Sequence, residues 1–153
     1  MRIGVISDTH GLVRPEALAA LQGVDHILHA GDLGRGDMLS PLEAIAPVVA
    51  IRGNIDREGP AAALPDRETV EIAGARFHIV HDIADLDAAP AEEGWDAVVF
   101  GHSHKPGMER RDGVLFLNPG SAGPRRFSLP VTLAIVTVEG GRLEAEIVTL
   151  LPR

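Results

Sequence analysis

The stretch that decides the fold is Arg2-Ile-Gly-Val-Ile-Ser-Asp-Thr-His10, at the start of the chain. The run from Arg2 to Ser7 is rich in β-branched residues and shows no polar alternation, which predicts a strand buried on both faces. Asp8 and His10 follow this strand directly. In α/β proteins, functional side chains lie at the carboxyl ends of strands, so this junction is a candidate site.

The same arrangement occurs four more times along the chain. Further polar clusters follow apolar runs at Gly31-Asp32, Gly53-Asn54-Ile-Asp56, His81-Asp82 and Gly101-His102-Ser-His104. Carboxylate, amide and imidazole groups are the donors of a transition-metal site, and the chain has no cysteine to contribute a thiolate. Because loops at one edge of a sheet converge, we expect the five clusters to meet in space.

The order of strands and helices predicts the fold class. Strands at 2–7, 26–30 and 47–52 alternate with helices at 15–22 and 37–45, which indicates right-handed crossovers and a mainly parallel sheet. The rest of the chain predicts a buried strand at 96–100 and hairpins at 67–81, 107–118 and 131–150. The segment 82–94 is compatible with a helix or a loop. We therefore predict an α/β (α+β) fold, a two-sheet β-sandwich flanked by helices, with a parallel half followed by an antiparallel half.

Composition excludes several classes of protein. A length of 153 residues predicts a single domain over residues 1–153. The absence of cysteine excludes disulfides and thiolate zinc sites. The formal net charge of −8 argues against a duplex nucleic acid partner. No apolar run approaches the ~18–20 residues needed to span a bilayer, and the first residues do not form a signal peptide, so we expect a cytoplasmic protein with no membrane partner.

The ordered set of clusters resembles the calcineurin-like metallophosphoesterase superfamily. The blocks of that superfamily are Asp-x-His, Gly-Asp, Gly-Asn, a lone His and Gly-His-x-His. The small size of the chain and the segment Asn118-Pro-Gly-Ser121 resemble its small bacterial and archaeal phosphodiesterases. Each block is weak alone, but the blocks occur in order between residues 8 and 121, most of the chain. The resemblance implies the αββα sandwich of the superfamily.

The resemblance also implies a site for two divalent transition-metal ions. We expect Mn²⁺, and Fe, Zn²⁺, Ni²⁺ or Co²⁺ would suit the same donors. One ion would be held by Asp8, His10, Asp32 and His104. The other would be held by Asp32, Asn54, His81 and His102. The implied reaction is in-line hydrolysis of a small phosphate ester by a hydroxide that bridges the metals, with bridging Asp32, Asn54 and His102 as catalytic residues.

The sequence departs from the superfamily pattern at two places. Many relatives carry a histidine directly after the Gly-Asn block, where it is thought to help protonate the leaving group, and this chain has Ile55. Loss of a general acid typically costs about 10²–10⁴-fold in rate, so we expect a substrate with a good leaving group or another source of the proton. Some close relatives have His-Gly-His around the lone histidine, and this chain has His81-Asp82-Ile83.

Six further residues are candidates for supporting roles, each with a simpler alternative. His29, Asp56 and Asn118 would orient ligands, or would be a core histidine and ordinary turn residues. Arg14, Arg125 and Arg126 would bind substrate phosphate, since arginine matches phosphate bidentately, or would be solvated surface charges.

Two alternatives to a phosphodiesterase stay open. A phosphomonoesterase, nucleotidase or nuclease would use the same site. A protein-interaction scaffold on the same fold, similar to a subunit of retromer, would have an eroded metal site, and the complete donor set argues against it. The sequence is also compatible with a homo-oligomer.

Overall fold

Ten strands form two five-stranded sheets in the computed structural model, which describes residues 1–152. The strands are β1 (Arg2–Ile6), β2 (His26–His29), β3 (Val48–Ala50), β4 (Arg67–Ile72), β5 (Ala75–Val80), β6 (Ala97–Val99), β7 (Gly107–Arg111), β8 (Val114–Asn118), β9 (Val131–Glu139) and β10 (Arg142–Leu151). The first sheet has the order β10-β9-β1-β2-β3, and the second has the order β4-β5-β6-β8-β7.

Strand β1 lies at the centre of the first sheet and is covered on both faces. It runs parallel to β2 and antiparallel to β9, which in turn pairs with β10. Ile3 and Val5 belong to the core between the two sheets, whereas Ile6 packs among residues of the outer face. A Cβ atom on Gly4 would lie 2.3 Å from the side chain of Leu21, so the glycine permits the close approach of the segment that covers this face.

Three short helices and two 3₁₀ turns lie outside the sheets. They are α1 (Pro15–Ala20), α2 (Leu39–Glu43), α3 (Pro90–Glu93), and the turns Pro60–Ala63 and Ile83–Asp85. Helices α1 and α2 cover the outer face of the first sheet through Ala17 and Leu42. On the outer face of the second sheet, Trp95 stacks on His78 with ring centroids 3.8 Å apart. The result is the layered order helix, sheet, sheet, helix.

The predicted fold class is confirmed, but the division into a parallel and an antiparallel half is wrong. The last hairpin, β9 and β10, joins the first sheet beside β1. In the second sheet, β5, β6 and β8 run parallel to one another. Both sheets are therefore mixed. The physical reason is that β1 is buried and needs hydrogen-bonded partners on both edges. Strand β9, whose residues 131–138 are almost all buried, supplies the second partner.

The helices are shorter than predicted. The two helices expected at 15–22 and 37–45 span Pro15–Ala20 and Leu39–Glu43. The segment 82–94, compatible with helix or loop, contains the turn Ile83–Asp85 and helix α3. No helix within residues 1–152 is long and apolar enough to cross a membrane.

Candidate metal centre

The five polar clusters lie together at one edge of the sandwich. Asp8 and His10 follow β1, Asp32 follows β2 and Asn54 follows β3, so the first sheet contributes these four residues. His81 follows β5, and His102 and His104 follow β6, so the second sheet contributes three histidines. All these loops leave the carboxyl ends of mutually parallel strands within each sheet. The site is thus assembled from both sheets.

Five of the seven donors have left-handed backbone conformations. Their φ angles are 56° for Asp8, 45° for His10, 57° for Asp32, 72° for His102 and 63° for His104. A residue other than glycine in this region costs about 1–3 kcal/mol and persists only where its surroundings impose it. Strain at five donors of one cluster is typical of a functional site, since such strain concentrates where side chains must be aimed.

The first donor group contains Asp8, His10 and His104. One donor atom of each lies within 4.8 Å of the others. Asp8 Oδ1 is 3.6 Å from His10 Nε2 and 3.5 Å from His104 Nε2. Ser7 Oγ donates to the other oxygen of Asp8 at 2.7 Å, and the backbone N–H of His102 donates to it at 3.1 Å. One oxygen of Asp8 is thereby fixed by donors, and the other faces the imidazoles.

The second donor group contains Asp32, His81 and His102, also within 4.8 Å of one another. Asp32 Oδ2 lies 3.2 Å from His81 Nε2, and the backbone N–H of Ile55 donates to Asp32 Oδ1 at 3.1 Å. Asn54 joins this group, because its Oδ1 lies 3.2 Å from His102 Nδ1. His81 Nδ1 lies 2.7 Å from the carbonyl oxygen of Ala30, so that nitrogen carries the proton and Nε2 faces the site.

The two carboxylates keep their charge in the metal-free protein. Burial raises the pKa of Asp8, but the nearby imidazole of His10 and the hydrogen bond from Ser7 outweigh burial and hold the pKa below its ordinary value. Burial likewise raises the pKa of Asp32, and the charge of His81, whose Nε2 is 3.2 Å away, lowers the pKa further than burial raises it. Burial lowers the pKa of His81, but Asp32 raises it to about 9. Without metal, His81 is therefore protonated at neutral pH.

Glycines allow the loops to approach one another closely. A Cβ atom on Gly53 would lie 2.0 Å from Asp32 Oδ1, and one on Gly101 would lie 2.2 Å from Ser7 Oγ. Both distances are far below van der Waals contact, so any side chain at these positions would displace the carboxylates of the site or their partners. Glycine is therefore required at positions 53 and 101, because the loops approach too closely there for a side chain.

The three residues predicted to orient ligands all connect the loops of the site. Asp56 accepts hydrogen bonds from the backbone N–H groups of Gly53, Leu33 and Gly34, and so joins the loops after β2 and β3. Asn118 Nδ2 donates to the carbonyl oxygen of Gly101 at 3.2 Å, which holds the loop of His102 and His104.

His29 is fully buried and connects the loop after β2 with Thr9, between Asp8 and His10. Its Nδ1 accepts from the backbone N–H of Gly31, so Nε2 is the protonated nitrogen and donates to Thr9 Oγ1. The hydroxyl of Thr9 then donates to the carbonyl oxygen of Leu33. Every polar atom in this series of hydrogen bonds has a partner when the imidazole is neutral. Burial accordingly lowers the pKa of His29 to about 4.

The three predicted arginines have different positions. Arg125 donates to the carbonyl oxygens of Leu129 and Pro152, so the structure directs its guanidinium to the backbone rather than to the donor groups. Arg14 Nε donates to the carbonyl oxygen of Gly123 and holds the loop after β8. Arg126 is exposed, and its charge contributes, after burial, to the lowered pKa of His104. Of the three arginines, Arg126 is therefore the one whose charge acts on a donor of the site.

Several neighbours of the site were absent from the sequence prediction. Ser7 and Ser121 fix Asp8, Ser121 by donating to its carbonyl oxygen at 3.0 Å. A cavity of about 280 Å³ beside the second donor group is lined by Asn54, His81, His102, Arg52, Arg67, Asp66, Asp82 and Asp85 among others. Ser7 could have been found as the last buried residue before Asp8. The residues of the cavity come from separate loops, and no local pattern indicates them.

Comparison with known proteins identifies the family to which this site belongs. Residues 1–141 match the family model of the calcineurin-like phosphoesterase superfamily domain. The chain belongs to the calcineurin-like phosphoesterase superfamily. A probable metallophosphoesterase of Methanothermobacter thermautotrophicus is 37% identical, and the alignment covers 97% of this chain and 92% of that protein. The superfamily resemblance inferred from the motifs is confirmed.

Solved structures have the same architecture. One described as a novel archaeal phosphodiesterase has a TM-score of 0.79 at 25% identity and covers 97% of this chain and 100% of that chain. Vps29 of Chaetomium thermophilum has a TM-score of 0.78 at 18% identity over 100% of this chain and 98% of that chain, which is a similarity of fold alone. Membership in the superfamily supports metal-dependent hydrolysis of phosphate esters as the general class of activity.

Proposed function

We propose that this protein is a dinuclear metal-dependent phosphodiesterase. The observation that carries the proposal is the position of the Asp32 carboxylate between the two donor groups. Its Oδ2 lies 3.6 Å from His10 Nε2 of the first group and 3.2 Å from His81 Nε2 of the second. A carboxylate oxygen that faces one imidazole from each group is suited to bridge two cations.

The donor atoms fit two cations chemically. Asp8 Oδ1, His10 Nε2 and His81 Nε2 are buried and have no hydrogen-bond partner. Buried polar atoms normally have partners, so three such atoms that point into one centre support a cation as the missing partner. In the proposed assignment, Asp8, His10, Asp32 and His104 hold one ion, and Asp32, Asn54, His81 and His102 hold the other. Mixed nitrogen and oxygen donors suit Mn²⁺, which we propose as the ion.

The chain contributes positioning and charge to the proposed reaction, an in-line displacement at phosphorus by water. When bound, the two cations would supply Lewis acidity and lower the pKa of water, as ester hydrolysis at neutral pH requires. Asn54 and His102 are exposed at the mouth of the cavity and would align the ester there. Exposed Arg126 would neutralise phosphoryl charge beside His104. Positioning and charge neutralisation dominate phosphoryl transfer.

The environment of the site favours a small phosphate ester with a good leaving group. Ile55 is 43% exposed and offers no proton, so the position where many relatives carry a histidine does not supply a general acid. The cavity of about 280 Å³ has room for one small ester group. Together with the net charge of −8, this size favours a small phosphate ester over duplex nucleic acid.

The proposal is tested by metal reconstitution. Protein stripped with a chelator should bind two Mn²⁺ ions per chain and regain hydrolysis of bis(p-nitrophenyl) phosphate, with a smaller rate on p-nitrophenyl phosphate. Asp32→Asn removes the bridging charge and keeps a residue that tolerates a positive φ. It should lower kcat/KM about 1,000-fold, because a metal supplies several kcal/mol of transition-state stabilisation.

Asp37→Asn is the matched control, since Asp37 is an exposed aspartate that contacts Ser40 and no donor of the site. Activity that survives chelation would contradict the metal mechanism. Binding of two ions without hydrolysis of any monoester or diester would favour the scaffold alternative. Faster hydrolysis of the monoester would favour a phosphomonoesterase.

A further inference from the structure

Asp82 places a second carboxylate beside the donor His102. Asp82 Oδ2 lies 3.6 Å from His102 Nε2. Its other oxygen accepts a hydrogen bond from the backbone N–H of Ala84 at 3.0 Å and so caps the 3₁₀ turn Ile83–Asp85. The backbone therefore fixes one oxygen of the carboxylate and leaves the other directed at the imidazole.

The ring of His102 spans the distance between Asp82 and the metal donors. Nδ1 lies 3.2 Å from Asn54 Oδ1, on the side of the second donor group, and Nε2 faces Asp82. An ionised carboxylate only accepts hydrogen bonds, so it favours the tautomer with the proton on Nε2. Without a cation, the N–H at His102 Nδ1 donates to Asn54 Oδ1. A cation held by both atoms would take the place of that proton, and the neutral ring would then carry its proton on Nε2, toward Asp82.

His102 depends on such a partner more than the other histidines of the site do. Its side chain is 46% exposed, compared with 14% for His10, 7% for His81 and 4% for His104. The buried rings are held by packing, and His81 is also oriented by the carbonyl oxygen of Ala30. The half-exposed ring of His102 meets the ring of His81 edge-on, with centroids 5.3 Å apart, and has two polar partners. Asp82 is the partner on the outer side.

The Asp82 carboxylate is not neutralised by the arginines that share its cavity. Arg67 pairs with Asp66 and Asp87, and Arg52 Nη1 donates to the carbonyl oxygen of Leu64. Within residues 1–152, no arginine or lysine lies within ion-pair distance of Asp82. The free oxygen is thus available to the imidazole.

We propose that Asp82 is a positioning residue whose carboxylate attracts the N–H at His102 Nε2 and fixes the ring with Nδ1 toward the second cation. The inference rests on the two-cation site proposed above. Carboxylates behind metal-binding histidines set the tautomer and raise the basicity of the ligand, and their loss typically weakens metal binding about 10–100-fold.

The test is Asp82→Asn, which keeps an oxygen to cap the turn and loses the negative acceptor. Calorimetric titration of metal-free protein with Mn²⁺ should show two sites in the wild type and one site weakened about 10–100-fold in the variant. Nitrogen-15 NMR of the Zn²⁺-loaded wild type should show His102 with a protonated Nε2. In Asp82→Asn, that signal should shift toward a mixture of tautomers.

Asp85→Asn is the matched control, because Asp85 lines the same cavity on the same turn and has no histidine within ion-pair distance in the described part of the chain. It should bind both ions with wild-type affinity. Equal losses in the two variants, or none in Asp82→Asn, would overturn the positioning role and leave the two-cation site intact. A wild type that binds fewer than two ions would overturn the proposed function itself.

Discussion

Acid should weaken this fold through His29 before it reaches the carboxylates of the site. Burial lowers the pKa of His29 to about 4 in the folded protein, whereas an unfolded histidine has a pKa near 6.5. Between these values the unfolded chain binds a proton that the folded chain excludes. The free energy of unfolding therefore falls as the pH drops from 6.5 to 4. Outside that interval, His29 contributes little to the pH dependence of stability. Integration gives a loss of about 2 kcal/mol between pH 7 and pH 4.5.

The assay is urea unfolding of metal-free protein at both pH values. The variant His29→Gln keeps an acceptor and a donor for Gly31 and Thr9 but does not titrate, so its free energy of unfolding should change about 2 kcal/mol less than that of the wild type. His26→Gln is the control, since His26 is on the same strand and only half-buried. Asp8 and Asp32 have lowered pKa values, so their contributions are lost mainly below this interval.

A wild type and a His29→Gln variant with the same pH dependence would refute the reasoning. So would a His26→Gln variant that abolishes the dependence. Either result would mean that the buried imidazole of His29 accepts a second proton in the folded protein. The hydrogen bonds through Thr9 would then run in another direction than the one described.

Three further predictions concern the metal site. The pKa of His81 is raised to about 9, so Mn²⁺ binding at pH 7.5 should release about one proton per chain. Calorimetry in buffers of different ionisation enthalpy measures this release. Binding without proton release would contradict the protonated state of His81. Gly53→Ala should weaken metal binding and activity at least tenfold, because the new Cβ would lie 2.0 Å from Asp32 Oδ1. Gly107→Ala is the control and should change neither, because a Cβ at position 107 would have no atom within 4 Å. Arg126→Ala should lower kcat/KM about tenfold through the lost charge, and Arg125→Ala should leave it unchanged; the reverse order would exchange their roles.

The position of the donors could be predicted because it depends on local sequence. Each donor lies within five residues of the end of a strand, and the carboxyl ends of parallel strands meet at one edge whichever strands are neighbours. This is why Asp8, Asp32 and His81 come together even though the predicted pairing of strands was partly wrong. The sequence of a hairpin such as β9 and β10 shows that the two strands pair with each other and carries no information about which strand of the sheet lies beside them.

Contacts between loops could not be predicted from the sequence. Asp82 and His102 are 20 positions apart on loops from different strands, and their proximity depends on the turn that Asp82 itself caps. Arg125 shows the opposite case. It follows a motif of the site, but its guanidinium reaches the carbonyl oxygen of Pro152 near the end of the chain, a contact that only the three-dimensional fold defines.

The proposed metal centre would also join the two halves of the sandwich. The first sheet contributes Asp8 and Asp32 to it, and the second contributes His81, His102 and His104. Each proposed ion has ligands from both sheets, so its binding energy opposes any motion that separates them. Metal binding would therefore set the mechanical stability of the sandwich, and the metal-free protein should open first at this edge.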